Sequence, residues 1–218
     1  MDLPQIKENL KESDPQLRMK AITELRSCNG TVAVPLLLSV TKDPDFLVRS
    51  FVAMGLGKHR SDDSYEALLE MMKFDKDPNV RAEAANSFSL FGDTSAAELK
   101  NVFIKDSNWL VRRSILAALV DLNCRQELFD VCLYGMDGED LTVRADAIRG
   151  LAFLSTTAFR DESLKALLKQ VNHPNSYIRI TIARALGKFT GDEVTAAISQ
   201  LRQDENHRVV AAALEGLI

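Results

Sequence analysis

Asp77-Pro78-Asn79-Val80-Arg81-Ala82-Glu83-Ala84-Ala85-Asn86-Ser87-Phe88 is the stretch that decides the fold, because versions of it recur along the whole chain. With the arginine as origin, the equivalent positions are Arg18, Arg49, Arg81, Arg112, Arg144, Arg179 and Val210. Their separations are 31, 32, 31, 32, 35 and 31 residues, and a constant interval of this size marks a protein built from stacked units. The approximate units are 1–29, 30–60, 61–92, 93–123, 124–155, 156–189 and 190–218.

Each unit follows one apolar rule. The residue before the origin is Leu17, Val48, Val80, Val111, Val143, Ile178 or Val209, and the seventh after it is Leu25, Leu56, Phe88, Leu119, Leu151, Leu186 or Leu217. At about 100° per residue these positions and the fourth share one arc, so the segment is an amphipathic helix and not a strand. Asp14-Pro15 and Asp77-Pro78 suit its start, since Asp caps free N–H groups and Pro in the first turn loses no hydrogen bond. A second apolar run precedes each arginine helix: Ile6 to Leu10, Val32 to Val40, Tyr65 to Met72, Ala96 to Ile104, Glu127 to Gly135, Glu162 to Val171 and Glu193 to Leu201. Pro35 is expected in the first turn of its run. The sequence therefore predicts an all-α solenoid of about seven helix pairs, in one domain, each unit packing on its neighbours.

The recurrent arginines, Arg18, Arg49, Arg81, Arg112, Arg144 and Arg179, fall inside the apolar arc, where an unpaired charge is costly. A ladder is expected, each arginine reaching the Asp-bearing turn of its own or the adjoining unit. Val210 breaks the series in the seventh unit, as expected if no eighth unit supplies a partner. The turns look alternating: Asp43, Asp106, His173 and Asp204 stand six before the origin, whereas units one, three and five are read with a spacing of four. The one clear insertion, Ser155 to Asp161, is a candidate contact loop on a regular scaffold.

Charged residues are 27% and hydrophobic ones 46%, as in ordinary globular proteins, and the net charge of −4 argues against a general nucleic-acid or anionic-membrane binder. Cys28, Cys124 and Cys132 lack C-x-x-C spacing and read as reduced thiols of a cytoplasmic protein. The N-terminal segment has no signal-peptide core, and the longest apolar run is far too short to span a bilayer.

The pattern D-P-x-V-R-x-x-A-A-x-x-L, carried best by residues 77–88, by DFLVRSFVAMGLG (45–57) and by YIRITIARALG (177–187), resembles the short HEAT-type repeat of cyanobacterial phycobilin lyase subunits and phycobilisome-degradation proteins. The resemblance implies a right-handed solenoid whose arginine helices line the concave face. It implies a scaffold for protein–protein interaction, with a phycobiliprotein or an iron–sulfur assembly protein as partner, or alternatively a bilin lyase or chromophore-detaching factor. In the related deoxyhypusine hydroxylases, also HEAT-type, paired His-Glu dipeptides bind two irons. Here His59 precedes Arg60, His173 precedes Pro174 and His207 precedes Arg208, so no metal site, no catalytic residue and no obligatory cofactor is expected. A bilin enters only under the lyase alternative, where Cys124 and Cys132 come into question as attachment points, though small buried thiols account for them.

On the expected concave face, Phe51, Met54, Phe153 and Ile180 accompany Arg113, Arg149 and Arg184, a composition closer to an interface than to a solvated face. Phe46 and Trp109 share a turn position three before the origin and form a second candidate surface, a turn ridge. The apolar C-terminal residues around Leu217 suggest self-association at that end.

Overall fold

The computed structural model describes residues 1–215. Leu217, and with it the expected self-association surface, lies outside the described residues. Fourteen α-helices and no strand occur among the described residues.

The chain divides into two compact units, Met1–Ala118 and Leu119–Ile218. In the first, helices α1 (Leu3–Asn9), α3 (Gly30–Leu38), α5 (Asp62–Phe74) and α7 (Ala96–Lys105) alternate with α2 (Pro15–Leu25), α4 (Phe46–Lys58), α6 (Pro78–Ser89) and α8 (Trp109–Asp121), the last of which runs across the division. In the second, α9 (Arg125–Asp137), α11 (Arg160–Leu168) and α13 (Asp192–Leu201) alternate with α10 (Leu141–Phe153), α12 (Ser176–Leu186) and α14 (His207–Glu215).

Every arginine-type helix starts the same way. The residue four before the origin places its side-chain oxygen on a first-turn N–H: Asp14 on Gln16, Asp45 on Leu47, Asp77 on Asn79, Asn108 on Leu110, Asp140 on Thr142, Asn175 on Tyr177 and Asn206 on Arg208, all at 2.8–3.0 Å. Such a cap satisfies one of the free donors of a helix end and is worth roughly 1 kcal/mol.

The cores follow the apolar rule. Val48, Val80, Val143, Ile178 and Val209 are buried, as are Leu56, Phe88, Leu151 and Leu186. Leu17 departs from it and is 37% exposed, while Met19 is buried in its place. Pro35 also departs: Asn29 caps α3 and the helix begins at Gly30, so Pro35 sits inside it and not in its first turn.

Within each unit the arginine-type helices lie against one another more intimately than the preceding helices do. Small residues allow close approach there and between α9 and α10. Gly57 of α4 faces Ser87 of α6 so closely that an added Cβ would come within 2.8 Å of the serine Cβ, and a Cβ on Gly150 of α10 would collide with the Cys132 sulfur on α9.

Candidate partner-binding groove

The ladder positions show how each turn is built. Arg18 donates through Nε and Nη2 to Asp43 at 2.7 and 2.9 Å, Arg49 to Asp75 at 2.7 and 2.8 Å, Arg81 to Asp106 at 2.6 and 3.2 Å, and Arg179 to Asp204 at 2.7 and 2.8 Å. Each fork matches the planar guanidinium to a carboxylate of the following turn. The remaining Nη1 of these arginines donates to the carbonyl six residues upstream, of Glu12, Asp43, Asp75 and His173.

The alternation of turn spacing does not survive this geometry. Asp75 stands six before Arg81 and accepts from Arg49, so the third unit follows the same plan as the second. The residues at spacing four are the helix caps, a different task. Two rungs are built differently, because the place six before the next origin holds Gly138 in one and His173 in the other. Arg112 donates to the Asp106 and Phe103 carbonyls at 2.7 and 3.1 Å, and Arg144 donates to the Gly138 carbonyl and meets His173 where an Asp stands elsewhere. Burial is greatest at Arg49, only 3% exposed, and Arg18 and Arg179 are also buried.

The candidate contact residues separate into two places. In the second unit a groove of about 580 Å³ runs between α10 and α12, with Arg149 and Phe153 on one wall and Arg184 and Lys188 on the other. Ser155 and Thr156, the first two residues of the insertion, close one side. The insertion is held to residues outside it: Thr157 Oγ1 donates to the Leu154 carbonyl at 2.8 Å, and Phe159 stacks on Phe129 with ring centres 5.1 Å apart. Phe153 is 44% exposed and carries Arg125 over its ring at 4.8 Å.

The groove already binds carboxylates of its own chain. Arg184 forks onto Glu215 at 2.8 and 3.0 Å, and Arg149 pairs with Asp146 and reaches the Tyr177 hydroxyl at 3.4 Å. The Glu215 hydrogen bond holds Arg184 above the usual arginine range, and Arg184 in turn holds the Glu215 carboxyl below its usual range. Lys188 is exposed and has no ion-pair partner among the described residues. A larger depression of about 1040 Å³ between α11 and α13 is lined by Leu164, Leu168 and Val194 together with charges of both signs, Lys165, Lys169, Asp192 and Glu193.

In the first unit Arg113 lies over the Trp109 ring at 5.8 Å, so a residue assigned to the concave face and one assigned to the turn ridge belong to a single feature. Phe51 and Met54 are half-buried, and Phe46 and Trp109 are 37% and 47% exposed. Sequence reasoning passed over Phe74, which is 76% exposed between grooves of about 290 and 690 Å³. The signal was present: seven before the origin the other units carry Lys11, Lys42, Lys105, Asp137, Asn172 and Gln203, and only this one carries an aromatic.

Cys132 is fully buried and burial pushes its thiol well up, so it stays protonated and unreactive; Cys28 and Cys124 are half-buried. No group of three or more His, Cys, Asp or Glu among the described residues is placed to hold a metal, and no helix among them is long and apolar enough to cross a membrane.

Paired helices, repeated turns and forks from one turn to the next define a helical-repeat protein of the α-solenoid class. Residues 3–89 and 129–218 match the family of HEAT repeats, and the chain belongs to it. Among solved structures it is similar to YibA of Escherichia coli, at 15% identity and a TM-score of 0.62, covering 100% of this chain and 92% of that one. It is likewise similar to the complex of CpcE and CpcF of phycocyanin lyase from Nostoc, at 20% identity and a TM-score of 0.55, covering 100% and 87%. An engineered protein matches at 17% identity and a TM-score of 0.53, covering 100% and 68%. These likenesses are of fold. No curated protein matches the chain by sequence.

Proposed function

We propose that the chain is a non-catalytic HEAT-repeat scaffold that holds a protein partner in the groove between α10 and α12. The observation that carries this reading is the Arg184–Glu215 fork: the groove arginine binds an exposed carboxylate in the geometry it would offer to one from a partner. An acidic partner segment would exchange with Glu215, pair with Lys188, and lay an apolar side chain against Phe153.

The test compares wild-type protein with Arg149→Glu/Arg184→Glu in affinity capture from a cyanobacterial lysate, followed by titration of the retained protein. The double reversal is expected to weaken binding at least tenfold, the equivalent of about 1.4 kcal/mol. Thermal stability should hardly change, because exposed positions contribute little to folding. Binding that survives the double reversal but is lost in Phe46→Ala or Trp109→Ala assigns recognition to the turn ridge and removes the groove.

A second reading, a phycobilin lyase-like or phycobilisome-degradation role, rests on the room in the groove and its two guanidinium groups, which suit the propionates of a linear tetrapyrrole. Arg113 would take part only if it shared that surface. The fold likeness to the phycocyanin lyase subunits motivates the trial. Mixing with phycocyanobilin should shift its absorbance or retain pigment through gel filtration; unchanged spectra and free pigment exclude it. An iron–sulfur assembly partner is a variant of the scaffold reading, and the identity of the captured protein decides it.

A further inference from the structure

In four rungs the residue six before the origin does two things with one carboxylate. Asp43, Asp75, Asp106 and Asp204 each accept the arginine fork from the preceding unit and, through Oδ1, the N–H two residues on, at 2.9 Å in every case. A carboxylate has lone pairs for all of these donors at once. In the fifth rung the same place holds His173. Its Nδ1 accepts the Asn175 N–H at 3.0 Å, and its Nε2 is in contact with Nη1 of Arg144.

A neutral imidazole has one acceptor nitrogen, and two donors point at this ring. One ring N–H therefore faces a donor in either tautomer, and in the protonated ring both do. The charged groups around it are also cationic. Arg144 comes from α10, and Arg179 from α12 donates to the His173 carbonyl while its own charge is met by Asp204 and Glu205. Among the described residues no carboxylate hydrogen-bonds to the ring.

We propose that His173 is a proton-sensitive joint between α10 and α12, closed on Arg144 while the ring is neutral and forced open when it is protonated. Burial, and after it the charge of Arg144, hold its pKa below the ordinary histidine value, as this geometry requires. A group whose folded pKa lies below its unfolded value contributes stability that is complete above the unfolded value, about 6.5 for histidine, and is lost as pH falls through the folded value. Mild acid therefore loosens the two helices that carry Arg149 and Arg184. That consequence for the groove rests on the proposed function; the joint does not.

Two measurements on the full chain test it. Long-range ¹H–¹⁵N correlation spectra resolve three imidazoles, His59, His173 and His207. His173 is expected to stay neutral to below the ordinary histidine value, and a His173 that titrates at or above about 6.5 overturns the proposal. Urea unfolding between pH 7 and pH 5.5 gives the second readout. The wild-type midpoint should fall across this range, whereas His173→Asp, which restores the carboxylate rung, should be higher at pH 5.5 and nearly flat. Parallel slopes for the two proteins overturn the joint, and should the variant fail to fold, the imidazole titration decides alone.

Discussion

At the scale of single residues, Arg18, Arg49, Arg81 and Arg179 each form a sheltered ion pair that adds little net stability compared with an apolar replacement. Its value lies in what happens when half of it is removed. Arg49 and Asp75 are both nearly excluded from solvent and joined by two hydrogen bonds. Arg49→Ala should cost roughly 3–5 kcal/mol in urea unfolding, because a buried carboxylate is left without its partner. Asp75→Ala should cost a similar amount, and the double variant clearly less than the sum. Additive losses would show that the two side chains act separately. The fork also sets an acid response. The Arg179 hydrogen bond holds the Asp204 carboxyl below its usual range; at Asp75 burial pushes the carboxyl up, and the Arg49 hydrogen bond, the Asp77 N–H and the charges of Arg49 and Arg81 together bring it below. Lowered carboxylate values contribute stability that is complete above the unfolded value, about 3.9, and is lost as pH falls through the folded values. This loss lies well below the window in which His173 acts, so an acid titration should show two separate phases.

At the scale of elements, close packing between helices depends on positions that have no room for a side chain. Gly57 brings α4 onto α6 at Ser87, and Gly57→Ala should destabilise by about 1–3 kcal/mol, the usual cost of overpacking. Gly150 and Cys132 form the corresponding pair between α9 and α10. Gly150→Ala alone should lower the thermal midpoint, and Cys132→Ala in the same chain should recover part of the loss by making space. A double variant no more stable than Gly150→Ala would mean that the α9–α10 spacing is set elsewhere. The buried thiol predicts, in addition, that Cys132 resists alkylation at neutral pH until the protein unfolds.

At the scale of the whole molecule, binding through exposed arginines carries its own signature. If the groove holds an acidic segment, partner affinity should fall as salt is raised, since exposed charge pairs are screened over about 8–10 Å at physiological ionic strength. Salt-insensitive binding abolished by Phe74→Asp would move recognition to the first unit. The sequence by itself determined the repeat, the helix pairs, the helix starts at Asp14 and Asp77 and nearly the whole core. Each of these depends on residues within one turn or one helix, where spacing alone dictates which side chains share a face. It also put Arg113, Arg149 and Arg184 together on one expected face, of which Arg149 and Arg184 line the groove, and marked residues 155–161 as an insertion. Only the tertiary structure decided that Asp43, Asp75 and Asp106 each serve two arginines, one of the preceding unit through the side chain and one of their own through the carbonyl. The same holds for the groove, whose walls come from two helices and an insertion, and for the Glu215 carboxylate that meets Arg184 across 31 residues of chain. Such contacts join separate units. A periodicity that is identical in every unit cannot say which member of one will touch which member of the next.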